Sequence, residues 1–339
     1  MNANNNKIKT PKTLMEAVNY FAVYENAHQF FVNVRWPKGV VCPRCGSTEA
    51  NYNPKYRRFQ CNQTHDLRQF TVKTGTVMED SPLGLDKWAI AFWLEVNAKN
   101  SISSCEVARA IGVTQKSAWF MLHRCRYALH AGSLDKLTGE IECDETFIGG
   151  LAKNMHKDRR ERTIMGTGGA GKAIVIGLLE RHTTKKGHSR VVAKVIDNRQ
   201  QDTLHEVIHQ HVEKDAKVYT DECTGYSGLS ANYAHDFINH AEAYVRGAVH
   251  TNGLENFWAL FKRCIKGTHI SVEPFHLAAY VDSEAFRFNN REVKDGDRFT
   301  MALDGISGKR LTYKTLIGSN NREGAQGNGN DAGSASAPN

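Results

Sequence analysis

Apolar residues recur at helical spacing in the first half of the chain and at strand spacing in the second. A short amphipathic helix (LMEAVNYFA) follows a polar start at residues 1–12. From Asp86 to about Ala131 three segments, KWAIAFWLEVNAK, SSCEVARAIGV and TQKSAWFMLHRCRYALH, have helical periodicity, with Gly112 between the last two. From Gly139 the pattern changes. GEIECDETFIGG, KAIVIGLLERH and SRVVAKVID predict three successive strands, TLHEVIHQHVEK a helix, AKVYTDE a strand, HDFINHAEAYV a further strand, and LENFWALFKRCI and FHLAAYVDSEAFRFNN helices. Strands followed by helix, strand and helix predict a mixed α/β sheet. The end of the chain, from Gly318 to Asn339, is rich in Gly, Asn, Ser and Ala without apolar periodicity, and is expected to be disordered.

Composition narrows the class. The 339 residues are enough for two or three domains, 40% of them are hydrophobic, and no apolar run approaches the roughly 18 to 20 residues needed to cross a bilayer. A membrane protein is therefore not expected. The N-terminus has basic residues but no following apolar stretch, so a reducing cytoplasm is the expected compartment. There the eight cysteines are thiols or metal ligands rather than a disulfide framework. A net charge of +8 hints at a polyanionic partner without identifying one.

Between the first helix and Gly75 lies a paired-cysteine module. Cys42-Pro-Arg-Cys45-Gly is a C-x2-C knuckle, Cys61 and His65 follow as C-x3-H, and fifteen residues separate the pairs. That is zinc-ribbon spacing: tetrahedral zinc takes four S or N ligands from two tight turns, and glycine after the second cysteine allows the turn. The alternative is three cysteines buried as small apolar residues, with His65 a surface residue. Arg35, Lys38, Arg44, Lys55, Arg57, Arg58, Arg68 and Lys73, interleaved with Trp36, Tyr52, Tyr56 and Phe59, give the module the character of a phosphate-contacting surface. A solvated basic face is the plainer reading. In the helical stretch Thr114 can cap a second helix after Gly112, which resembles a helix-turn-helix with Arg124 and Arg126 available to phosphates. Plain helical packing accounts for the same pattern.

Three places in the α/β zone carry carboxylates. Alternation in EIECDETFI puts Glu142, Asp144 and Thr146 on one face and Ile141, Cys143 and Glu145 on the other, with Asp144 mid-strand. Asp221 ends a strand. Asn252 and Glu255, spaced i, i+3, open the helix that continues to Lys262 and Arg263. Oxygen ligands from separate elements converging on hard divalent cations are what two-metal phosphoryl transfer requires. Each carboxylate alone also reads as a strand-end cap or a solvated helix residue.

The strings CPRCGS, FTVKTGTVMEDSPLGLDKW, IECDETFIGG, VYTDECTGY, HTNGLENFWALFKRCIKGTHI and HLAAYVDSEAFRFNNR, from Cys42 to Arg291, resemble bacterial DDE insertion-sequence transposases of the ISXO-like group. The resemblance implies an RNase H-like mixed sheet with flanking helices, preceded by a zinc ribbon and a helix-turn-helix-like segment. The implied division is helix and ribbon at 13–76, helical segment at 82–132, catalytic domain at 138–316 and tail at 317–339. Asp144 and Asp221 correspond to the first two catalytic acids. Glu255 is favoured as the third, because a carboxylate suits a hard cation, with Asn252 as an alternative or additional ligand. Lys262 would contact DNA near the scissile phosphate, Arg263 would add to that contact, and His250 would bond to the site or to the phosphate, or serve equally as a structural residue at the helix start. A basic loop, 149–172, would grip DNA through Lys153, Lys157, Arg159, Arg160 and Arg162; its GTGGAGK string lacks the P-loop frame. The fourth ribbon ligand, His65, stands where relatives commonly have cysteine. By resemblance the function is binding of terminal inverted repeats, 3′-end cleavage and strand transfer with Mg2+ or Mn2+, structural zinc, a homo-oligomer on double-stranded DNA, and a nucleoid-associated location. The alternatives are a cleavage-inactive DNA-binding regulator and a stand-alone RNase H-like nuclease.

Overall fold

The structure is a computed structural model that describes residues 10–130, 135–149, 172–182, 187–221, 224–238 and 250–318. The first helix, α1 (Leu14–Phe21), starts where the Thr13 hydroxyl accepts the Glu16 amide, and it buries Ala17 and Phe21. Immediately after it comes α2 (Tyr24–Arg35), which the apolar pattern did not separate; it buries Ala27, Phe30 and Phe31. The ribbon follows, three short antiparallel strands in the order β1 (Ala50–Asn53), β2 (Arg58–Cys61), β3 (Gln69–Phe70). Its core is small: Phe59 stacks on Phe70 at 5.3 Å, with the edge of Trp36 against both.

Helix α3 (Leu85–Asn97) is apolar nearly all round and buries Trp88, Phe92 and Trp93, as a helix at the centre of a bundle must. Next, α4 (Ser104–Ile111) opens with a capping box between Ser103 and Glu106 and stops at Gly112, whose left-handed φ of 62° suits glycine. Thr114 then caps α5 (Gln115–Leu129) by accepting the Ser117 amide, so the turn expected between these helices is built as its residues predict.

The second body is a five-stranded sheet in the order β6-β5-β4-β7-β8. Strands β4 (Glu140–Ile148), β5 (Ala173–Glu180) and β6 (Arg190–Ile196) run antiparallel. Parallel to β4 lie β7 (Lys217–Asp221) and then β8 (Ala234–Ile238). Cys143, Ile176 and Leu178 face helix α6 (Gln201–His211) through Leu204 and Ile208. On the opposite face Val175, Leu179 and Val191 meet α7 (Asn252–Arg263) and α8 (Pro274–Asn289) through Leu254, Phe257, Trp258, Leu277 and Val281. Each strand's alternation thus serves two helical layers. A π-helical turn, Cys264–His269, separates α7 from α8.

The chain then returns to its beginning. Helix α9 (Asp295–Asp304) packs into the first core, where Phe299 stacks on Phe30 at 5.7 Å and lies edge-on to Phe21. A short α10 (Tyr313–Leu316) ends the described chain. The two bodies meet across a buried ion network. Arg126 of α5 binds Glu95 of α3 through both carboxylate oxygens, at 2.9 and 3.0 Å. From α8, Ser283 donates to the same carboxylate at 2.7 Å, and Arg287 reaches Ser283, Glu284 and the Glu95 carbonyl. Among the described residues no helix is long and apolar enough to cross a membrane.

Candidate metal centres

The ribbon brings its four predicted ligands together. One donor atom from each of Cys42, Cys45, Cys61 and His65 lies within 4.8 Å of all the others. The first knuckle closes through Gly46 N–H to the Cys42 carbonyl (3.0 Å) and Cys42 N–H to the Ser47 carbonyl (2.8 Å), with Gly46 at φ 75°. His65 Nε2 is 3.6 Å from Cys42 Sγ, while Nδ1 lies 2.6 Å from the Asp66 carbonyl. Donating Nδ1–H to that carbonyl leaves Nε2 as the electron pair facing the sulfurs, the arrangement of a metal-binding histidine. Burial pushes the Cys42 thiol up, but the Cys45 and Arg44 amides and the neighbouring thiols outweigh it and bring it down to about 7. A soft set of three sulfurs and one nitrogen, with a thiol already biased toward thiolate, fits zinc.

The second group is on the sheet. Asp144 lies in the middle of β4 with Gly177 of β5 opposite it. The β4–β7 register pairs Ile141 with Val218 and Glu142 with Tyr219. Continued two positions, it sets Asp144 beside Asp221, the last residue of β7, on the same face. Helix α7 packs over that face and carries Asn252 in its first turn and Glu255 one turn on, both exposed. Trp258 Nε1 donates to Asp144 Oδ2 at 2.9 Å. Burial first, then the charge of Asp221, raises the Asp144 carboxyl to about 6, with Glu255 adding to the rise and the Trp258 bond opposing it. Asp144 therefore lies within electrostatic reach of both Asp221 and Glu255. The three acids are not drawn as tightly as the ribbon ligands: among the described residues the Cys/His group alone gathers within 4.8 Å.

Several side chains fasten the start of α7 over this face, and Arg181 among them was not singled out by sequence reasoning. Glu142 is buried and accepts the Leu254 amide (2.9 Å) at the start of α7 and Arg181 Nε (2.9 Å). Arg181 also donates to the His250 carbonyl at 2.7 Å, and His250 Nδ1 lies 3.4 Å from Glu142. A cation and a buried acid thus fasten the helix start, and His250 belongs to that fastening. Alternation in EIECDETFI already put Glu142 on the face of Asp144; nothing in the sequence pointed to Arg181, 39 residues on. Glu145 points to the other face, where the Tyr226 hydroxyl donates to it, and burial, outweighing that bond, raises its carboxyl to about 7.

The basic residues divide. Arg57 and Arg58 are exposed on the ribbon, with Arg57 over the Tyr24 ring at 3.7 Å and Arg58 donating to Gln69 at 3.2 Å. Lys262 is half-buried and Arg263 exposed at the end of α7. Arg124 and Arg126 are interior. The Arg124 guanidinium donates to the Leu311 and Glu79 carbonyls, and Arg126 is committed to Glu95, so α5 uses these cations to fasten its neighbours where phosphate contacts were expected. Lys157, Arg159 and Arg160, with Lys153 and Arg162, lie outside the described residues.

A ribbon with a soft donor set joined to a mixed sheet with an acidic face is the plan of a DNA-processing enzyme with a zinc-binding module. Residues 136–289 match the ISXO2-like transposase domain and residues 25–64 the transposase zinc-ribbon domain. The chain is 27% identical over 301 residues to an uncharacterized protein in transposable element ISH50 of Halobacterium salinarum, an alignment covering 82% of this chain and 97% of that one. It is 32% identical over 106 residues to an uncharacterized transposase-like protein of Haemophilus influenzae, covering 31% of this chain and 85% of the relative. The chain belongs to the ISXO2-like transposase family, with a structural zinc ribbon formed around Cys42, Cys45, Cys61 and His65.

Proposed function

We propose that this chain binds the terminal inverted repeats of its own insertion sequence, cleaves their 3′ ends and joins them to target DNA. In this reading Asp144, Asp221 and Glu255, with Asn252 beside them, hold two Mg2+ or Mn2+ ions. The support for it is the parallel pairing of β4 with β7, which, continued two positions beyond Glu142–Tyr219, brings Asp144 toward Asp221 under the helix bearing Asn252 and Glu255. A hard oxygen donor set fits these ions, and so does the raised Asp144 carboxyl, since a cation relieves the mutual repulsion that burial enforces. Bound there, the ions would activate a water or a 3′-hydroxyl and stabilise the leaving oxygen.

The chain's own residues do the rest. Lys262 and Arg263, seven and eight positions after Glu255, supply positive charge toward the scissile strand. Arg57 and Arg58 on the ribbon hold DNA phosphates at a distance from the chemistry, so affinity and cleavage reside on different surfaces. Two transposon ends must be brought together, which calls for at least two copies of the chain on DNA. The test is cleavage of a labelled fragment carrying the element's end, with Mg2+ or Mn2+, by wild type and Asp144→Asn. Metal-dependent 3′-end nicking lost in the variant is expected. Equal nicking by both would remove Asp144 from the reaction, and tight binding without nicking by wild type would favour a DNA-binding regulator.

A further inference from the structure

Polar contacts tie helix α7 to the strand of Asp144. Glu142 receives the Leu254 amide, and one turn further on Trp258 donates its indole N–H to Asp144 Oδ2 at 2.9 Å. The second contact depends on Gly177, the residue opposite Asp144 on β5. A Cβ at Gly177 would lie 2.6 Å from Trp258 Cζ2 and 2.8 Å from Leu254 Cδ2, so no larger residue lets the indole seat where it does. Trp258 is 4% exposed, although Glu255, one turn earlier on the same helix, is exposed.

We infer that Trp258 is a positioning residue: seated over Gly177, its N–H orients the Asp144 carboxylate toward a divalent cation and fixes its spacing from the acids of α7. The chemistry of the group suits that task. An indole has one donor and no acceptor, so it can hold a carboxylate without competing as a ligand and without changing charge. It is also rigid, so the bond transmits the position of α7 to β4. If α7 shifts along the sheet, Asp144 turns with it. Outer-shell partners of metal-binding carboxylates typically alter affinity by about 10- to 100-fold when removed.

The inference rests on Asp144 being a metal ligand, and the experiment separates the two. Zinc-loaded wild type, Asp144→Asn and Trp258→Phe are titrated with Mn2+, reading free Mn2+ by electron paramagnetic resonance, and assayed for end binding and cleavage. Trp258→Phe should bind end DNA as wild type does, bind Mn2+ roughly 10- to 100-fold more weakly, and need correspondingly more metal for half-maximal cleavage. Asp144→Asn should lose the Mn2+ site. Wild-type Mn2+ affinity in Trp258→Phe, with the site lost in Asp144→Asn, overturns the positioning role alone; Mn2+ binding unchanged in Asp144→Asn overturns the ligand assignment beneath it. A measurement on wild type guards against a misfolded variant. Of the indole N–H resonances of the five tryptophans, one should move on addition of diamagnetic Mg2+ in wild type and none in Asp144→Asn. No movement in wild type overturns the inference.

Discussion

The ribbon and the sheet each gather potential metal ligands, and they do so in opposite ways. The ribbon's three sulfurs and one imidazole lie within 4.8 Å of one another, held by backbone turns and a small aromatic core of their own. The sheet's carboxylates come from two strands and a helix, stand further apart, and raise the Asp144 carboxyl to about 6 through burial and mutual charge. The ribbon set is closed around one point; the acids of the sheet are not gathered that tightly, and burial and their charges oppose the ionisation of Asp144. On the function proposed above, the first is a structural site and the second a catalytic one, and such sites differ in this way.

A third group sharpens the contrast. Glu95 is more deeply buried than Asp144, yet it has Arg126 and Arg287 against it and Ser283 on one oxygen. Its charge is compensated by the chain, whereas the one polar side-chain hydrogen bond seen at Asp144 comes from a neutral indole. Burial of a carboxylate therefore does not by itself mark a functional acid; the sign of its neighbours does.

The largest expected effect comes from the ribbon. Cys42→Ser removes one of four ligands, and since structural zinc contributes on the order of 10 kcal/mol to folding such modules, zinc content by atomic emission should fall and specific end binding with it, while the sheet keeps its circular dichroism. Retained zinc would break the assignment. Next come Asp144→Asn and Asp221→Asn, which should slow cleavage by roughly a thousandfold or more in a gel assay while end affinity changes little. Third, Glu95→Gln leaves Arg126 and Arg287 short of a buried counter-charge, and thermal denaturation should report a loss of about 3 to 5 kcal/mol. The smallest effect separates the helix ligands: Glu255→Gln should raise the Mn2+ concentration needed for cleavage more than Asn252→Ala does, and the reverse order would make Asn252 the third ligand.

Much of this was legible in the sequence, for physical reasons that differ by region. The ribbon was legible because its ligands sit in two short spacings, and local turns alone bring each pair together. The sheet was legible because alternation in EIECDETFI and the continuous runs of its neighbours fix which side chains share a face. Helix α2 escaped notice because Glu25, Asn26, His28, Gln29 and Asn33 dilute its apolar stripe, and α9 because its partners, Phe21 and Phe30, stand more than 260 residues earlier in the chain. Arg124 and Arg126 were misread for the same reason: a cation on a helix looks solvated until the acid or carbonyl that receives it, on another element, is in view. Trp258 was not singled out, because only the fold brings Asp144 to its N–H.

If the acids on the sheet bind cations as proposed, the cost that burial, Asp221 and Glu255 place on ionised Asp144 is what a bound cation relieves. Asp144 titrates near 6 when folded against an ordinary 3.8, so between about pH 4 and 6 the folded chain retains a proton that the unfolded chain releases. Stability from this group is then lost as pH rises through that window, by about 3 kcal/mol. The most direct measurement is the melting temperature of zinc-loaded wild type and Asp144→Asn at pH 8, with and without Mn2+. The variant should melt above wild type without Mn2+, and Mn2+ should raise wild type far more than the variant. A variant that melts below wild type, with Mn2+ moving both equally, would contradict the proposed cation site.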